Sequence, residues 1–466
     1  MTTTAASGYA APRASAGPVA IVSWMLFDMA AQPFYSLVTT FLFAPYFSAY
    51  VIGDAARGAA LWGYTMAAAA ILVALGSPVL GAIADARGRL KRLMARLSVG
   101  FVLGQAALWF AVPGISANVW FILLALIVAT VCGEFNSVLN NSLMPRLAPP
   151  DQLGRLSGGG WALGYVGGLI SLILVVGFIL VDTRTGTTML GLKPLLPLDI
   201  QTRETDRAVG PLSALWFLIF SLPFFLFTPD APPKAGAEQV TLSSALGSLQ
   251  ETLRHIGRYR DIVLFFLARM LFIDGLQAIF TFGGIYAIAA FAWPTIVVGY
   301  FGIILLITAG IGAAIGGFLD DRLGSKTVII GSLVLLIAGS LGVMSIDGSH
   351  IFFVIDVAPR LADAAPFTGT GERFYIAFAM LIGLASGPLQ AASRSLLARL
   401  APAEHMSEFF GFFAFSGKVT AFAAPFVIGL VAEITGSLQS ALSMILVFLS
   451  AGLAIMSFVK TDRRAA

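Results

Sequence analysis

The sequence contains few charged residues, and their scarcity excludes an ordinary soluble enzyme. Only 11% of the 466 residues are Asp, Glu, Lys or Arg, whereas soluble domains contain about 25%. A single cysteine, Cys132, excludes a disulfide framework, and the three histidines, His255, His350 and His405, are too far apart to predict a metal site. The sequence also lacks a nucleotide-binding loop, a Gly-x-Ser-x-Gly nucleophile and a His/Glu metal pattern. We therefore expect no enzyme activity, no cofactor and no metal.

Hydrophobic residues make up most of the sequence. They make up 58% of the chain, and the mean hydropathy is +0.90. Twelve apolar runs are long enough to cross a bilayer, at 19–50, 59–84, 93–113, 118–144, 156–181, 211–229, 262–291, 294–319, 327–346, 373–397, 408–432 and 437–459. We refer to them as spans 1 to 12. They predict an all-α polytopic membrane protein embedded in a lipid bilayer.

The spans divide into two sets of six with a polar segment between them. The predicted organisation is an N-terminal tail (1–18), a six-helix bundle (19–229), a linker with an amphipathic, interfacial helix (230–260), a second six-helix bundle (261–459) and a C-terminal tail (460–466). We treat this unit as a monomer.

The basic residues predict the orientation of the chain. Lys and Arg concentrate in the tails, in the linker and in the loops that would share a side with them, for example at Arg87, Arg89, Lys91 and Arg92. The positive-inside rule then places both termini in the cytoplasm. Because the net charge is only +4 and the basic residues follow this rule, no nucleic-acid partner is implied.

Two short signatures occur once in each half. Gly81, Asp85 and Gly88-Arg89 follow span 2, and Gly317, Asp321, Gly324 and Lys326 follow span 8; Arg146-Leu147-Ala148-Pro149 after span 4 matches Arg399-Leu400-Ala401-Pro402 after span 10. Repeats of this kind indicate that each half is one parallel copy of a six-span unit. The fold class is therefore twelve transmembrane helices in two pseudo-symmetric six-helix bundles.

The repeated Gly-x-x-x-Asp-x-x-Gly loop resembles the signature of the major facilitator superfamily. Trp24-Met25-Leu26-Phe27-Asp28 with Gln32-Pro33-Phe34-Tyr35, and Arg269 with Asp274-Gly275, resemble the branch that contains the yeast autophagy-linked vacuolar amino-acid effluxers and their bacterial relatives. The resemblance implies alternating access by two rocking bundles around a site lined by spans 1, 4, 7 and 10. It also favours a bacterial inner membrane.

The repeated loops predict a cytoplasmic gate. Gly81 and Gly317 allow close helix approach, and Gly88 and Gly324 allow a turn with positive φ. The remaining members are charged, and we expect them to hold the cytoplasmic side closed: Asp85, Arg89 and Arg146 in the first half, with Asp321, Lys326 and Arg399 in the second. The alternative is that the basic residues only obey the positive-inside rule.

Five charged residues lie deep within spans: Asp28, Glu134, Arg269, Asp274 and Lys418. Such residues are costly in a membrane and mark functional sites. Asp28 and Asp274 could face each other across the pseudo-twofold axis as proton-coupling or substrate-ammonium groups, with Arg269 as the partner of a substrate carboxylate or as a counter-ion. The alternative for all five is ion pairing that fixes helix packing.

Neutral polar residues accompany these charges on spans 1, 4, 7 and 10. They are Gln32, Tyr35, Asn136, Asn140, Gln277 and Gln390. A shared water-accessible cavity accounts for them more simply than separate polar packing seams do. Arg394, near the end of span 10, is expected to snorkel or to join the gate, and the glycine-rich span 5 is expected to pack closely.

The sequence thus predicts a secondary active transporter that moves a small polar solute and is driven by H⁺ or Na⁺. The resemblance favours amino acids as the solute. A sugar or drug exporter, a lipid flippase and a non-transporting receptor of the same fold stay open as alternatives.

Overall fold

The computed structural model describes residues 16–114, 118–182, 185–232, 242–293, 295–358 and 365–461. Most of both predicted tails and the linker residues 233–241 lie outside this range. The N-terminal half contains α1 (Pro18–Pro33), α2 (Phe43–Tyr46), α3 (Ala55–Arg87), α4 (Leu90–Ala107), α5 (Val119–Ser142), α6 (Met144–Leu147), α7 (Leu153–Phe178), α8 (Glu204–Arg207) and α9 (Val209–Phe227). The C-terminal half contains α10 (Leu242–Arg254), α11 (Arg260–Phe291), α12 (Thr295–Leu323), α13 (Ser325–Met344), α14 (Thr370–Leu400), α15 (Met406–Ser416), α16 (Ala423–Thr435) and α17 (Leu438–Ser457).

Irregular helices and two small hairpins complete the chain. After Pro33, π-helical turns at Phe34–Phe41 and Phe47–Val51 join α1 and α2 into one membrane crossing. In two of the longer loops, β1 (Val181–Asp182) pairs antiparallel with β2 (Thr187–Thr188), and β3 (His350–Ile351) with β4 (Ile355–Asp356). The register aligns Val181 with Thr188 and His350 with Asp356.

Eleven helical segments of the described chain are long and apolar enough to cross a membrane. The remaining predicted crossing, span 11 at 408–432, is not one continuous helix but two, α15 and α16, separated by turns at residues 417–422. The sequence explains the break, because Gly417 is a poor helix former and Pro425 has no N–H for the carbonyl of Ala421. The layout remains that of twelve crossings in two bundles.

The outer faces of the bundles expose large apolar side chains. Ile71 and Leu75 on α3, Leu222 and Leu226 on α9, and Ile315 on α12 are each more than half exposed. Apolar surface of this extent suits hydrocarbon rather than water. The protein is therefore an integral membrane protein.

The bundles meet along two equivalent pairs of helices. α1 packs on α7 and α9 within the first bundle, and α11 packs on α17 within the second. Between the bundles, α7 packs on α12 and α14, and α3 packs on α15. The helix α10, in the predicted interfacial segment, packs against α3.

Both described ends of the chain lie on one side of the molecule. The Ala16 N–H donates to the carbonyl of Leu147 at the end of α6, and the Lys460 N–H donates to Asp261 at the start of α11. The positive-inside prediction assigns this side to the cytoplasm, and we refer to it as the cytoplasmic side.

Candidate cytoplasmic gate and central site

The carboxylate of Asp321, at the cytoplasmic end of α12, reaches across to the first bundle. It accepts hydrogen bonds from the backbone N–H groups of Gly154 and Arg155 at 2.7 and 3.0 Å, and from the Arg155 Nε at 2.8 Å. The first N–H groups of a helix have no partner within it and carry partial positive charge. Because Asp321 belongs to the second bundle and α7 to the first, this carboxylate links the two bundles at the start of α7. Arg399 of α14 holds the same carboxylate from its own bundle, at 3.2 Å.

The pseudo-symmetric contact is made by Asp85 at the end of α3. Its carboxylate accepts from the backbone N–H groups of Ser407 and Glu408 in the first turn of α15, at 3.0 and 2.8 Å. The helices approach closely because Gly81 lacks a side chain: a Cβ there would lie 2.2 Å from the carbonyl oxygen of Ser407. Two helix-cap contacts thus join the bundles on this side. We call the Asp85 and Asp321 contacts together the gate.

The other predicted gate residues take different places. Gly317 lies against α7, where a Cβ would come 2.7 Å from the Gly154 carbonyl oxygen. Gly88 and Gly324 have positive φ of 65° and 83°, as predicted. Arg146 lies in α6, at the same side of the molecule. These positions agree with a gate built from the repeated loops.

Two basic residues predicted for the gate lie outside it. Lys326 donates from Nζ to the carbonyls of Ser457 and Val459 in its own bundle, where α17 ends and unpaired carbonyls attract a cation. Arg89 is exposed, and its backbone N–H donates to Ala231 at the start of the linker. Of the predicted gate cations, Arg399 does reach the other bundle, because its Nε donates to the Pro150 carbonyl at 2.9 Å. Arg155 also crosses between the bundles to bind Asp321, and its position follows from packing of α7 on α12 and not from the loop signature.

Deeper in the membrane, the guanidinium of Arg394 joins α14 to three helices of the first bundle. It donates to Asp28 Oδ2 at 2.8 Å, to Asn141 Oδ1 at 3.0 Å, and to the side-chain and backbone oxygens of Ser157 at 2.9 and 2.7 Å. Asn140 Nδ2 donates to the other carboxylate oxygen of Asp28 at 3.2 Å. We call this set of contacts the Arg394 clamp. It corrects the expectations that Asp28 would face Asp274 and that Arg394 would snorkel.

A glycine makes room for the Arg394 clamp. A Cβ at Gly160 on α7 would lie 2.5 Å from Asp28 Oδ2 and 2.8 Å from Arg394 Nη2, whereas a Cβ at Gly164, one turn later, would lie no closer than 3.7 Å to any neighbour. The glycines of α7 thus leave space for this ion pair and also allow close helix packing.

We expect Gly160→Ala to lower transport by about tenfold or more, since overpacking a tight site costs about 1–3 kcal/mol. Gly164→Ala is the matched control and should stay close to wild type. Solute flux in proteoliposomes checks both variants. Equal activity of the two would contradict this account of Gly160.

A second ion pair crosses between the bundles at the break in span 11. Lys418 Nζ lies 2.9 Å from Glu134 Oε1, and the two side chains are 30% and 19% exposed. The hydroxyl of Tyr35 lies against Gly133, within the electrostatic range of Glu134 and Asp28. Both of these deeper ion pairs take their acid from the first bundle and their base from the second, whereas the Arg155–Asp321 pair at the gate has the reverse arrangement.

Comparison with known proteins places this architecture in a family. The sequence profile described as "Vacuole effluxer Atg22 like" matches residues 151–466, more than half of the chain. The chain belongs to this Atg22-like family. An MFS-type transporter of Bacillus subtilis, YxiO, described as uncharacterized, is 26% identical over 447 residues, which are 94% of each chain. Autophagy-related protein 22 of Kluyveromyces lactis is 25% identical over 386 residues, 78% of this chain and 71% of that protein.

Solved structures show the same fold for this Atg22-like chain. The transporter FucP in its outward conformation superposes with a TM-score of 0.68 over 96% of this chain and 99% of its own, at 13% identity. The human organic anion transporter MFSD10 gives 0.66 over 94% and 100%, also at 13% identity. The chain is therefore a major facilitator superfamily transporter of the Atg22 branch, and its relatives are transporters rather than enzymes.

In this Atg22-like chain Arg269 binds the end of a broken helix. Its Nη1 donates to the Phe413 carbonyl at 2.7 Å and to Ser416 Oγ at 2.9 Å, and its guanidinium lies 3.5 Å from the centre of the Phe413 ring. A cation is favoured here because α15 ends at Ser416 and leaves carbonyls unpaired. Arg269 also lies within electrostatic range of Glu134 and Asp274, so its role as a counter-ion of Asp274 stays a prediction.

The neutral polar residues do not all line one cavity. Gln390 donates to the Tyr165 hydroxyl at 3.1 Å across the bundle interface, and Gln32 lies against Gly168 of α7. Asn136 is buried and donates to Ser98 of α4 at 3.3 Å. It therefore contributes to the packing of α5 on α4 inside the first bundle. Gln277 is exposed. These contacts separate Asn136 from Gln390, and a cavity shared by the other residues stays a prediction.

Sequence reasoning missed several residues that join the bundles. Ser157, Arg155 and the N–H groups of Ser407 and Glu408 carried no signal of their own, because a serine or a helix start is common. Buried Asp320, next to Asp321, binds Ser325, Ser395 and Arg399. The doubled Asp in the second loop could have suggested its role, and the repeat alignment of Arg394 with Asn141 could have suggested that these two meet.

Proposed function

We propose that this protein is a secondary active transporter of small zwitterionic solutes, with amino acids as the expected class, driven by protons. The observation that supports the proposal is the pair of cross-bundle ion pairs, Asp28–Arg394 and Glu134–Lys418, at 2.8 and 2.9 Å. Each joins a carboxylate of one bundle to a cation of the other. Rocking of the bundles must separate both.

The partly exposed pair Glu134–Lys418 has the chemistry of a zwitterion-binding site. A solute with an ammonium and a carboxylate satisfies Glu134 and Lys418 at the same time, so the pair separates without leaving either charge unpaired in the membrane. A neutral sugar offers no such compensation. This favours amino acids over the sugar and lipid alternatives.

The Arg394 clamp supplies a place for proton coupling. A proton on Asp28 removes the negative charge that holds Nη1 of Arg394, so protonation weakens the link between α14 and α1. Loss of the proton restores it. The Asp28 side chain is 20% exposed, so it is not sealed between the bundles.

We expect Asp28→Asn to abolish pH-driven accumulation of the solute, while exchange of solute across the membrane continues at a measurable rate. Asn keeps the size of the side chain but cannot gain or lose the proton. Uptake into proteoliposomes with and without an inside-alkaline pH gradient measures the first quantity, and counterflow measures the second. Full pH-driven accumulation by Asp28→Asn would refute coupling at this residue.

The solute class is tested by uptake and counterflow with a panel of amino acids, sugars and organic cations. We expect amino acids to be moved, with KM raised about tenfold in Glu134→Gln and in Lys418→Met because each loses a charged hydrogen bond. Asp356→Asn, on the exposed outer hairpin, is the control. Movement of sugars alone, or no movement of amino acids, would refute the proposal.

The membrane location is also proposed. The positive-inside bias supports the placement of both termini in the cytoplasm, and similarity to YxiO of Bacillus subtilis supports a bacterial inner membrane. A reporter enzyme that is active only outside the cytoplasm, fused after residue 466, should be inactive, while the same reporter inserted at 186 should be active. The opposite pattern would invert the proposed orientation.

A further inference from the structure

The hairpin between α13 and α14 ends in an exposed apolar tip. The tip is formed by Phe352, Phe353 and Val354 in the turn and by Ile355 at the start of β4. These residues range from 42% exposed at Phe352 to 79% exposed at Val354, and none of them has a polar side chain. A contiguous apolar patch of this kind marks a site of interaction.

The backbone of the tip is strained. Phe352 and Phe353 have positive φ of 54° and 66°, and they are the central residues of a turn that the Val354 N–H closes on the Ile351 carbonyl at 3.3 Å. Residues with a side chain rarely adopt this conformation, and hairpin turns of this type normally contain Asn-Gly. The turn itself therefore does not explain why Phe occupies both positions. Such strain persists where the surroundings hold the residues, and it is frequent at functional sites.

The base of the hairpin fixes the direction of the tip. The Phe353 N–H donates to the carbonyl of Ser345, where α13 ends, at 2.9 Å. Oδ1 of Asp347 accepts from the N–H groups of Ser349 and His350 at 2.8 and 2.7 Å. The position of the tip relative to the membrane is therefore set by the end of α13.

The hairpin lies at the membrane surface opposite the gate. α13 begins at Ser325, directly after the loop that carries Asp321, and crosses the membrane to Met344. The hairpin follows that end of α13, with β3 at His350–Ile351. Its tip is therefore near the boundary between hydrocarbon and water.

The tip also continues the lipid-facing surface of the second bundle. The Phe352 ring packs on α14, with its centre 5.4 Å from that of Phe374 and 6.2 Å from that of Phe378. Phe374 is itself exposed, on a side of α14 that also exposes Ala377. Because the exposed apolar surface of a bundle contacts hydrocarbon, this continuity favours lipid over another protein as the partner of the tip.

The charged groups of the hairpin are confined to its base. His350 Nδ1 lies 3.2 Å from Asp347 Oδ1, and its Nε2 lies 3.2 Å from Asp356 Oδ1. The side chain of Asp356 is 94% exposed. An apolar tip beside a charged base has the polarity of a segment that lies at a membrane interface.

We propose that the hairpin tip, residues 352–355, inserts among the acyl chains of the bilayer just below the headgroups, on the side opposite the gate. The apolar side chains leave water when they insert, and this gain offsets the strain of the two positive φ angles. The hairpin thereby anchors the connection between α13 and α14 to the lipid. Insertion of the tip does not depend on the identity of the solute or of the coupling ion.

The test is the depth of a fluorescent label at the tip. Val354→Cys in a Cys132→Ser background is labelled with a nitrobenzoxadiazole maleimide, and the full-length protein is placed in nanodiscs of phosphatidylcholine and phosphatidylglycerol. We expect lipid with brominated acyl chains to quench this label, and aqueous iodide to quench it less than the same label in Asp356→Cys, by about threefold or more. Asp356→Cys is the matched control, because it lies on the same hairpin beside the charged groups.

A second variant tests the two Phe residues. Phe352→Asn with Phe353→Gly supplies the residues that this turn prefers, so the hairpin should still fold. Quenching of the label at residue 354 by brominated lipid should fall by about threefold or more, because the two rings no longer insert. Gel filtration identifies folding defects, and only variants with the elution profile of the parent protein are compared.

Three results would overturn the proposal. Equal iodide quenching of the labels at residues 354 and 356 would place the tip in water. Protection from iodide without quenching by brominated lipid would show that protein, such as a second copy of this chain, covers the tip. Unchanged lipid quenching in Phe352→Asn/Phe353→Gly would show that the two Phe residues do not anchor the hairpin.

Discussion

Replacing Arg394 with Ala should abolish transport and lower the stability of the protein more than any other single change discussed here. The side chain is 5% exposed and donates to four oxygens of the opposite bundle. Its loss leaves Asp28, Asn141 and Ser157 without these bonds in a buried region. Removing one partner of a buried ion pair costs about 3–5 kcal/mol. We expect a clear decrease in melting temperature, and transport reduced by about a hundredfold or more.

Two further variants separate charge from geometry. Arg394→Lys keeps the charge but cannot reproduce the planar fork that reaches Asp28 and Ser157 together, so it should recover stability in part and little transport. The double variant Asp28→Asn/Arg394→Gln removes both charges and should be more stable than Arg394→Ala, since no charge is left unpaired. It should still fail to accumulate solute.

The control lies on the same helix. Arg373 is exposed near the outer end of α14, and Arg373→Ala should behave like wild type in both thermal unfolding and flux. Transport and melting temperature of Arg394→Ala close to those of wild type would show that the clamp has no functional role.

The second large effect is expected at the gate. Asp321→Asn should shift the protein toward states that are open to the cytoplasm, because the carboxylate loses its charge and part of its hydrogen bonding to Gly154 and Arg155. Hydrogen bonds to charged groups contribute about 1.5–3 kcal/mol each. A shift of this size changes the population of the open state by about tenfold or more. Asp85→Asn should act in the same direction, since its carboxylate accepts from the backbone N–H groups of Ser407 and Glu408 in the opposite bundle.

Ser142 offers a direct measure of opening. It is 3% exposed, and its hydroxyl accepts a hydrogen bond from Ser407 of the opposite bundle at 3.1 Å. A cysteine at this position, in a Cys132→Ser background, should react slowly with a maleimide while the gate is closed. Asp321→Asn should accelerate labelling by about tenfold or more.

The matched control for the gate is Asp261→Asn. Asp261 lies on the same side of the membrane but binds Lys460 within its own bundle, so its loss should leave labelling of the introduced cysteine unchanged. Equal labelling in Asp321→Asn and in the parent would mean that this contact does not hold the cytoplasmic side closed. Labelling accelerated to the same degree in Asp261→Asn would mean that the effect is not specific to the gate.

The sequence by itself determined the membrane class, the two six-span halves and the two loop aspartates that contact the opposite bundle. Long apolar runs cross the bilayer as helices. Lipid offers no hydrogen-bond partners, so the backbone N–H and C=O groups must bond to each other within the helix. The glycines at 88 and 324 and the aspartates at 85 and 321 could be assigned from the repeat, since a turn with positive φ and a helix-capping carboxylate depend on local chemistry. Buried charges could be recognised because each is costly in a span.

Only the tertiary structure decided which of these charges meet. Asp28 and Arg394 are 366 residues apart in the chain, and Glu134 and Lys418 are 284 apart. Helical periodicity gives the face on which a side chain lies but not the helix that packs against that face. The break in span 11 could have been suspected from Gly417 and Pro425, yet its capping by Arg269 depends on how α11 packs against α15. The partners of the intramembrane charges are therefore fixed by helix packing, because a charge in the membrane pairs with whichever opposite group that packing brings within reach.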